Sequence, residues 1–378
     1  MDFNLPDPLP VSSSTSAIPR LEPLPFGRVI ALTSAIYRAR FSTYFLPMLL
    51  LNVPVAIITS LLSGSLLDKS QSLSAESQLL SQSGRSAATL SQAQIDQISA
   101  DLIKLLSVLI VIVAVGAILQ LIRLLLVDTT LVYITSEKIL GRQPTFRQGF
   151  QAVRARWGTV AFGQIAFYAL LIGLTIALSF TLFLCGLGIG LLVYVGLVLG
   201  PLLTPVLVLE RDNAFRGINH AWGLGKGRFW ALVALTAMAL LLSGVAVLVT
   251  GAINTALSNL FMVSDTLTGS TPTLSLVALM IGGLVSGVGT SLIAPFSLIG
   301  YTVLYYDARV RLEGFGEALT ALHDPEARPA DIQPPTGLTL GALKGSDFVN
   351  ILLTMVATIV VVLIYSAISF SLSAASLR

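Results

Sequence analysis

Seven long apolar segments leave this chain few ways to fold. The segments cover residues 43–66, 103–127, 159–182, 186–209, 230–251, 276–304 and 349–371. Each approaches or exceeds the roughly 20 residues that an α-helix needs to cross a bilayer. The apolar runs are continuous rather than alternating, which excludes a membrane β-barrel. The pattern predicts an all-α, polytopic transmembrane helix bundle of six to seven spans.

The composition agrees with a membrane protein. The chain is 54% hydrophobic and only 11% charged, whereas soluble domains carry about 25% charged residues. A chain this apolar has too few polar side chains to cover a globule in water. Its single cysteine, Cys185, cannot form an internal disulfide, so cysteine usage does not indicate whether the protein lies in an oxidising or a reducing compartment.

The positions of the basic residues predict the orientation. Seven spans place all but four of the 22 Lys and Arg residues on one side, and the exceptions are Lys69, Arg85, Lys104 and Arg378. Cytoplasmic loops are enriched in Lys and Arg. We therefore expect the N-terminus in the cytoplasm and the C-terminus on the other side.

A weak repeat of amphipathic segments precedes alternate spans. Its copies are "PFGRVIALTSAIYRARF", "TFRQGFQAVRARW" and "AFRGINHAWGLGKGRFW". In the second copy, Phe146, Phe150, Val153 and Trp157 share one helical face. Such helices are expected to lie flat on the cytoplasmic side, with aromatics toward acyl chains and arginines toward lipid phosphates. We call them elbow helices, because each leads into a span.

The stretch "HAWGLGKGRFW" is glycine-rich but lacks the spacing of a phosphate-binding loop, and it precedes a span rather than following a strand. We expect Gly223, Gly225 and Gly227 to form a turn. Aromatic residues near the spans are predicted to anchor at headgroup depth. These anchors are Trp157, Trp222, Trp230, Tyr305 and Tyr306.

Basic residues next to the spans are the candidate contacts for anionic headgroups. The ion-pair spacing of Asp307 with Arg311, and of Arg309 with Glu313, also permits a helix whose charges pair with one another. The headgroup candidates are Arg147, Arg154, Lys226, Arg228, Arg309 and Arg311.

Small residues mark the expected helix contacts. Gly196 and Gly200 in the fourth span, and Gly283 and Gly287 in the sixth, form two GxxxG patterns. Such patterns let helices approach closely. The contact could lie inside the chain or between two copies, and an internal contact is the preferred interpretation.

Catalytic constellations are not expected. The chain has only His220 and His323 as histidines, which leaves few ligands for a catalytic metal site with paired histidines. His220 is expected on the polar face of its elbow helix. We predict no catalytic residue, no metal site and no cofactor.

The spans show no central Asp or Glu. Asn52 and Gln164 are their uncharged polar residues, and prolines interrupt three spans. Coupled carriers usually keep a buried carboxylate, so its absence argues against that class, but spans broken by proline can line a substrate path. A permease for a lipophilic or amphipathic molecule is therefore the alternative function, and proline kinks satisfied by neighbouring helices are the simpler interpretation.

Two blocks resemble a known family. "PVLVLERDNAFRGINHAWGLGKGRFWALVAL" and "APFSLIGYTVLYYDARVRLEGF" are similar to the conserved blocks of the glycerophosphoryl diester phosphodiesterase membrane domain-like family of multi-pass bacterial proteins. "ITSEKILGRQPTFRQGF" fits its first cytoplasmic connection, with Glu137, Gly141 and Arg142 in matching places. The resemblance covers about residues 24–316, and it implies six helices with interfacial elbows in a bacterial inner membrane, or an internal membrane. The phosphodiesterase domain of the family's fusions is absent.

These observations divide the chain into four segments. We expect a disordered cytoplasmic tail at 1–24, a six-span membrane domain at 25–316, a cytoplasmic linker at 317–347 and an additional C-terminal transmembrane helix at 348–378. The expected function is a non-enzymatic membrane protein that organises lipid or partner proteins through a basic cytoplasmic interface. Membrane lipids are the expected partners, protein partners or a homo-oligomer stay open, and nucleic acid is not expected.

Overall fold

The structure is a computed structural model in which nearly every described residue is helical. It describes residues 21–82, 92–179, 185–210, 213–268, 272–324, 326–332 and 344–376. No strand occurs within these ranges. The prediction of an all-α polytopic helix bundle is confirmed. The expected disordered tail falls mostly outside the described residues. The sequence also predicts a tight turn in "FLCGLG", residues 183–188, but its last four residues already belong to the helix Cys185–Leu209, so the turn can occupy only the residues before Cys185.

Twelve α-helices make up the described fold. Helices α3 and α4 form one continuous rod, because a π-helical turn at Leu124–Asp128 joins them. A short 3-10 turn at Pro329–Asp331 lies between α11 and α12. The bounds are α1 Phe26–Ala39, α2 Phe41–Gln82, α3 Gln92–Arg123, α4 Thr129–Ile139, α5 Phe146–Arg154, α6 Trp157–Ser179, α7 Cys185–Leu209, α8 Ala214–Gly227, α9 Phe229–Thr268, α10 Pro272–Glu313, α11 Phe315–Ala321 and α12 Gly345–Ser376.

Six helical segments in the described residues are long and apolar enough to cross a membrane. They are Phe41–Ser63, Ile103–Ile139, Trp157–Leu178, Gly188–Leu209, Phe229–Ile253 and Leu279–Glu313. A shorter apolar stretch, Gly345–Val361, begins α12 at the place of the predicted seventh span. The chain is an integral membrane protein.

Several helices extend beyond the ends that the sequence predicted. The second span runs to Ile139 instead of ending at residue 127. The sequence also predicts two larger outer loops, at 67–100 and 252–274, and permits helical pieces in the first. The described residues of both stretches are helical, since α2 continues to Gln82 and α9 to Thr268. Polar residues at these positions end the hydrophobic segment without ending the helix, because Ser and Gln still permit helical backbone.

The described fold repeats one unit three times. Each unit has an elbow helix, a long helix leading away from it and a long helix returning to the same end. The units are α1–α4, α5–α7 and α8–α10. The returning helices α4, α7 and α10 pack against one another near that end. We call it the elbow end, and it holds most of the buried core.

An arginine occupies the break between elbow helix and span in every unit. Arg40, Arg156 and Arg228 each precede an aromatic residue that begins the next helix. Each arginine bonds to the end of its own unit's returning helix or to the connection after it. Arg40 donates to the Pro144 carbonyl at 3.0 Å, Arg156 to the Leu207 carbonyl at 3.2 Å, and Arg228 lies 2.6 Å from Asp307.

The third elbow does not turn at its glycines, which corrects the expectation for Gly223, Gly225 and Gly227. Helix α8 continues through all three, and the break falls at Arg228 with φ −124° and ψ 28°. Gly225 instead lies against the backbone of Val198 in α7, where a Cβ would overlap the carbonyl oxygen. Gly225 therefore serves close helix packing rather than chain reversal.

Candidate functional site

A cluster of buried charged residues joins the elbow end. Glu210 follows α7, His220 lies on α8, and Arg309 and Glu313 lie on the last two turns of α10. The His220 ring contacts Glu210 through Nδ1 and Glu313 through Nε2. Arg309 Nε donates to Glu313 at 2.7 Å. We call these four residues, with Tyr305, the histidine–carboxylate cluster.

Tyr305 and two backbone carbonyls complete the cluster. The Tyr305 hydroxyl donates to Glu210 at 2.8 Å. The fully buried Arg309 donates to the Tyr305 hydroxyl at 3.2 Å, to the Pro329 carbonyl at 3.2 Å and to the Ile332 carbonyl at 3.1 Å. The cluster therefore fixes part of the chain between α11 and α12 against the bundle.

His220 is held in its charged form. Burial alone lowers the pKa of His220, but its hydrogen bonds to Glu210 and Glu313, and their negative charges, outweigh burial and raise the pKa to about 9. At neutral pH, two carboxylates then face one imidazolium and one guanidinium. The cluster is closed and electrically balanced, and an arrangement of this kind fixes helices instead of offering a free base or nucleophile.

Asp307 and Glu137 build two further clusters at the same end. Asp307 accepts from the Leu24 amide at 2.8 Å, from Arg311 at 2.9 Å, and pairs with Arg228. Glu137 pairs with Arg142 at 3.0 Å and with Arg328 at 3.2 Å. Both carboxylates are buried, so each needs these cationic partners.

Asp347 ties the first turn of α12 to the bundle. Its carboxylate lies 2.6 Å from the Lys226 ammonium and accepts from the Tyr194 hydroxyl at 2.7 Å and from the Lys344 amide at 2.7 Å. The extra C-terminal helix is thus joined to α7 and α8 by a buried acid.

The six candidate headgroup cations separate into two groups. Lys226, Arg228, Arg309 and Arg311 lie in the clusters described above, next to buried carboxylates. Arg147 and Arg154 lie exposed on α5, and the described residues show no ion pair to either. The structure does not bring the six together as one patch, and headgroup binding stays a prediction for each.

The aromatic anchor candidates also occupy different environments. Trp230 is 58% exposed, whereas Trp222, Tyr305 and Tyr306 are buried inside the protein, and Trp157 is partly buried. Tyr306 shares a hydrogen bond of 2.7 Å with Ser136. The hydroxyls of Tyr305 and Tyr306 therefore satisfy partners inside the bundle. A headgroup-anchor role stays a prediction.

The α5 elbow directs part of its apolar face toward protein. Val153 is buried in the core, Phe146 packs against a second core cluster, and Gly149 approaches Ile134 of α4. We expected this face to meet acyl chains. The segment keeps its amphipathic pattern, but α4 supplies much of the apolar surface that it contacts.

The glycine pairs differ in how closely they approach other helices. A Cβ at Gly283 would lie 2.7 Å from the Ile57 Cα, and one at Gly287 would lie 2.7 Å from the Val53 Cα. Both therefore let α10 touch the α2 backbone. A Cβ at Gly200 would lie 3.3 Å from the Phe167 ring, while one at Gly196 meets nothing within 4 Å.

Sequence reasoning missed Asp128, a buried carboxylate within a span. Its side chain lies 3.5 Å from Arg123 across the π-helical turn. Arg123 also donates to Asn52 at 3.3 Å, and Asn52 donates to Ser291 at 3.2 Å. The signal was available as Arg123 followed by an acid five residues later, but the predicted span stopped at residue 127. π-Helical turns occur often at functional sites.

No family model, no curated protein and no solved structure matches the chain. The resemblance to the glycerophosphoryl diester phosphodiesterase membrane domain-like family therefore stays a prediction.

Proposed function

We propose that this integral membrane protein is non-enzymatic and organises anionic lipid, or partner proteins, at the surface of the membrane. The observation that carries the proposal is the charge of the elbow helices. Helices α1, α5 and α8 contain six basic residues and no Asp or Glu. Arg28, Arg38, Arg147, Arg154 and Arg216 are exposed. Acid-free amphipathic helices at a bilayer surface attract anionic headgroups.

The packed elbow end supports a platform role. Its buried carboxylates have cationic partners, and the three returning helices fill its centre. A rigid end of this kind holds the elbow helices in fixed relative positions, as a lipid- or protein-binding surface needs. Both ring nitrogens of His220 contact carboxylates, which supports a structural role for that residue.

The proposal also states which membrane holds the protein and how the protein is oriented in it. The elbow end would face the cytoplasm of a bacterium, with the chain in the inner membrane. The excess of Lys and Arg at this end supports the orientation. The family resemblance of the two sequence blocks supports the bacterial inner membrane.

A specific test uses α5, where two exposed arginines can be changed together. Native mass spectrometry of the full chain, extracted in a mild detergent, would count retained anionic phospholipids and partner subunits. We expect Arg147→Gln with Arg154→Gln to retain fewer anionic lipids than the wild type. The control, Arg147→Lys with Arg154→Lys, keeps the charge and should keep the lipids. A wild-type protein recovered as a lone, lipid-free monomer would contradict the proposal.

One observation favours the alternative, a permease for a lipophilic or amphipathic molecule. Asp128 places a buried carboxylate beside Arg123 and Asn52 in the region of the spans. However, two cavities in the described residues, one between α9 and α10 and one at the elbow end, are lined by neither Asn52 nor Gln164. Uptake by reconstituted wild-type protein that Asp128→Asn abolishes would favour the permease over the platform.

A further inference from the structure

A polar cleft opens at the elbow end between α4, α5 and α7. Its volume is about 170 Å³, which leaves room for several water-sized groups and so for a phosphoryl group. The residues that line it include Tyr133, Ser136, Glu137, Arg156 and Arg328.

The cleft has a surplus of positive charge. Glu137 is its only carboxylate among the described lining residues, and Arg142 lies on the other side of that carboxylate at 3.0 Å. The lining thus brings two guanidinium groups, those of Arg156 and Arg328, against one carboxylate, which Arg328 shares with Arg142. A guanidinium group can donate two parallel hydrogen bonds to a phosphoryl group, so a lining with two of them suits such a ligand.

Arg328 has a buried donor without a hydrogen-bond acceptor. Its Nε lies 3.2 Å from Glu137 but makes no hydrogen bond there and is inaccessible at the surface. The guanidinium also lies 5.8 Å from the centre of the Tyr133 ring. A buried donor of this kind needs a partner, and an anion entering the cleft would supply charge and acceptors beside it.

The roof of the cleft is held from two sides. Pro329 and Ala330 line it. Arg309 binds the Pro329 carbonyl from the histidine–carboxylate cluster, and Arg142 donates to the Ala327 carbonyl at 3.0 Å. The cleft therefore has fixed walls before any ligand arrives, which lowers the cost of binding.

We propose that this cleft binds a phosphoryl group, carried either by a lipid headgroup or by a free phosphate. The proposal deepens the proposed function and rests on it in one respect: a lipid headgroup reaches the cleft only if the elbow end lies at the membrane surface. Exposed Ala152 of α5 lines the cleft, so the cleft adjoins the elbow helix that carries Arg147 and Arg154.

Two probes distinguish the sources of the phosphoryl group. Inorganic phosphate, titrated against the full chain in phosphate-free detergent, tests the free anion through thermal stability, with chloride at equal ionic strength as reference. Native mass spectrometry after incubation with phosphatidylglycerol tests the lipid. We expect saturable stabilisation by phosphate, one strongly retained lipid per chain, or both. Stabilisation by chloride equal to that by phosphate, together with no retained lipid, would overturn the proposal.

Matched variants locate the binding. Arg328→Gln removes a guanidinium from the cleft, and Ala152→Glu adds a carboxylate to its lining; each should weaken binding about tenfold or more. Gln151→Glu adds the same charge to the same helix at an exposed position outside the lining and should change affinity less than threefold. Equal losses in Ala152→Glu and Gln151→Glu would overturn the cleft as the site.

The same variants also distinguish binding in the cleft from binding to the exposed arginines of α5. Lipid that is lost in the Arg147 and Arg154 double variant but kept in Ala152→Glu would support the proposed function and contradict the cleft. Phosphate binding that depends on Arg328, without any retained lipid, would support the cleft and contradict the lipid platform.

Discussion

His220 is the residue whose chemistry sequence reasoning described least well. We expected it on the polar face of an elbow helix, but it is buried between Glu210 and Glu313. Glu210 lies ten residues before His220 on the other side of a helix break, and Glu313 lies 93 residues after it, so no single helical pattern brings both carboxylates to one ring. Their approach depends on the packing of α7, α8 and α10.

The stability of the protein should therefore depend on pH through His220. Burial lowers its pKa and the two carboxylates raise it, to about 9 from 6.5. The raised pKa adds to the free energy of unfolding, and this stabilisation is fully present below about pH 6.5. It is lost as the pH rises toward about 9, by roughly 1.4 kcal/mol for each pH unit in that window. We expect the melting temperature in detergent to fall over that window. His220→Gln should be less stable at pH 7 and flat across the window; parallel slopes for both proteins would show that His220 does not titrate there.

Arg309 and Arg311 offer a matched comparison of a fully buried and a partly exposed cation. Arg309 is fully buried, whereas the Arg311 side chain is 35% exposed and its partner, the buried Asp307, also pairs with Arg228. Removing one partner of a buried pair leaves an uncompensated charge and costs about 3–5 kcal/mol, and loss of Arg311 should cost less because Asp307 keeps Arg228. Arg309→Gln should lower the free energy of unfolding far more than Arg311→Gln in denaturant titrations.

Proteolysis provides a second measurement for the same pair. Arg309 also binds the carbonyls of Pro329 and Ile332, so its loss should expose residues 326–332 to cleavage. Arg311 has no such contact and should leave cleavage there unchanged. Equal stability and equal cleavage in the two variants would contradict the role given to the cluster.

At the scale of helices, hydropathy predicted the spans but not where the helices end. The apolar runs are local, and every predicted span has a helix at its place. Asp128 lies one residue beyond a predicted end, because a charged residue ends a hydrophobic pattern while the helix continues through a π-helical turn. The glycines of α8 show the same limit: composition cannot distinguish a glycine that turns the chain from one that admits a neighbouring backbone.

The contact between α2 and α10 should be sensitive to added volume. A Cβ at Gly283 would lie 2.7 Å from the Ile57 Cα, whereas one at Gly244 of α9 meets nothing within 4 Å. Gly283→Ala must separate two backbones, and overpacking of this kind costs about 1–3 kcal/mol. Gly244→Ala should be neutral or stabilising, because Ala favours helix over Gly. Thermal unfolding in the same detergent compares them, and equal melting temperatures would contradict this contact.

At the scale of the whole molecule, the threefold repeat explains why charge and core share one end. Each unit returns its second long helix to the elbow end, so three helix ends meet there with their polar residues. Arg40, Arg156 and Arg228 join each elbow to its own unit. The sequence showed the repeat of elbow segments, but only the packing of α4, α7 and α10 shows that the units surround a common centre.

Labelling can test which side of the membrane the elbow end faces. The single cysteine, Cys185, begins α7, and the helix reaches the elbow end 25 residues later, about 37 Å away at 1.5 Å per residue. A reporter at the elbow end therefore needs the background Cys185→Ser, because the native cysteine lies at the far end of its helix. In Cys185→Ser with Gln151→Cys, the new cysteine on α5 should react with a membrane-impermeant maleimide only after permeabilisation. Reaction of the α5 cysteine on intact cells would reverse the orientation, and the phosphoryl cleft would then meet the lipids of the opposite leaflet while its contacts within the protein stayed the same.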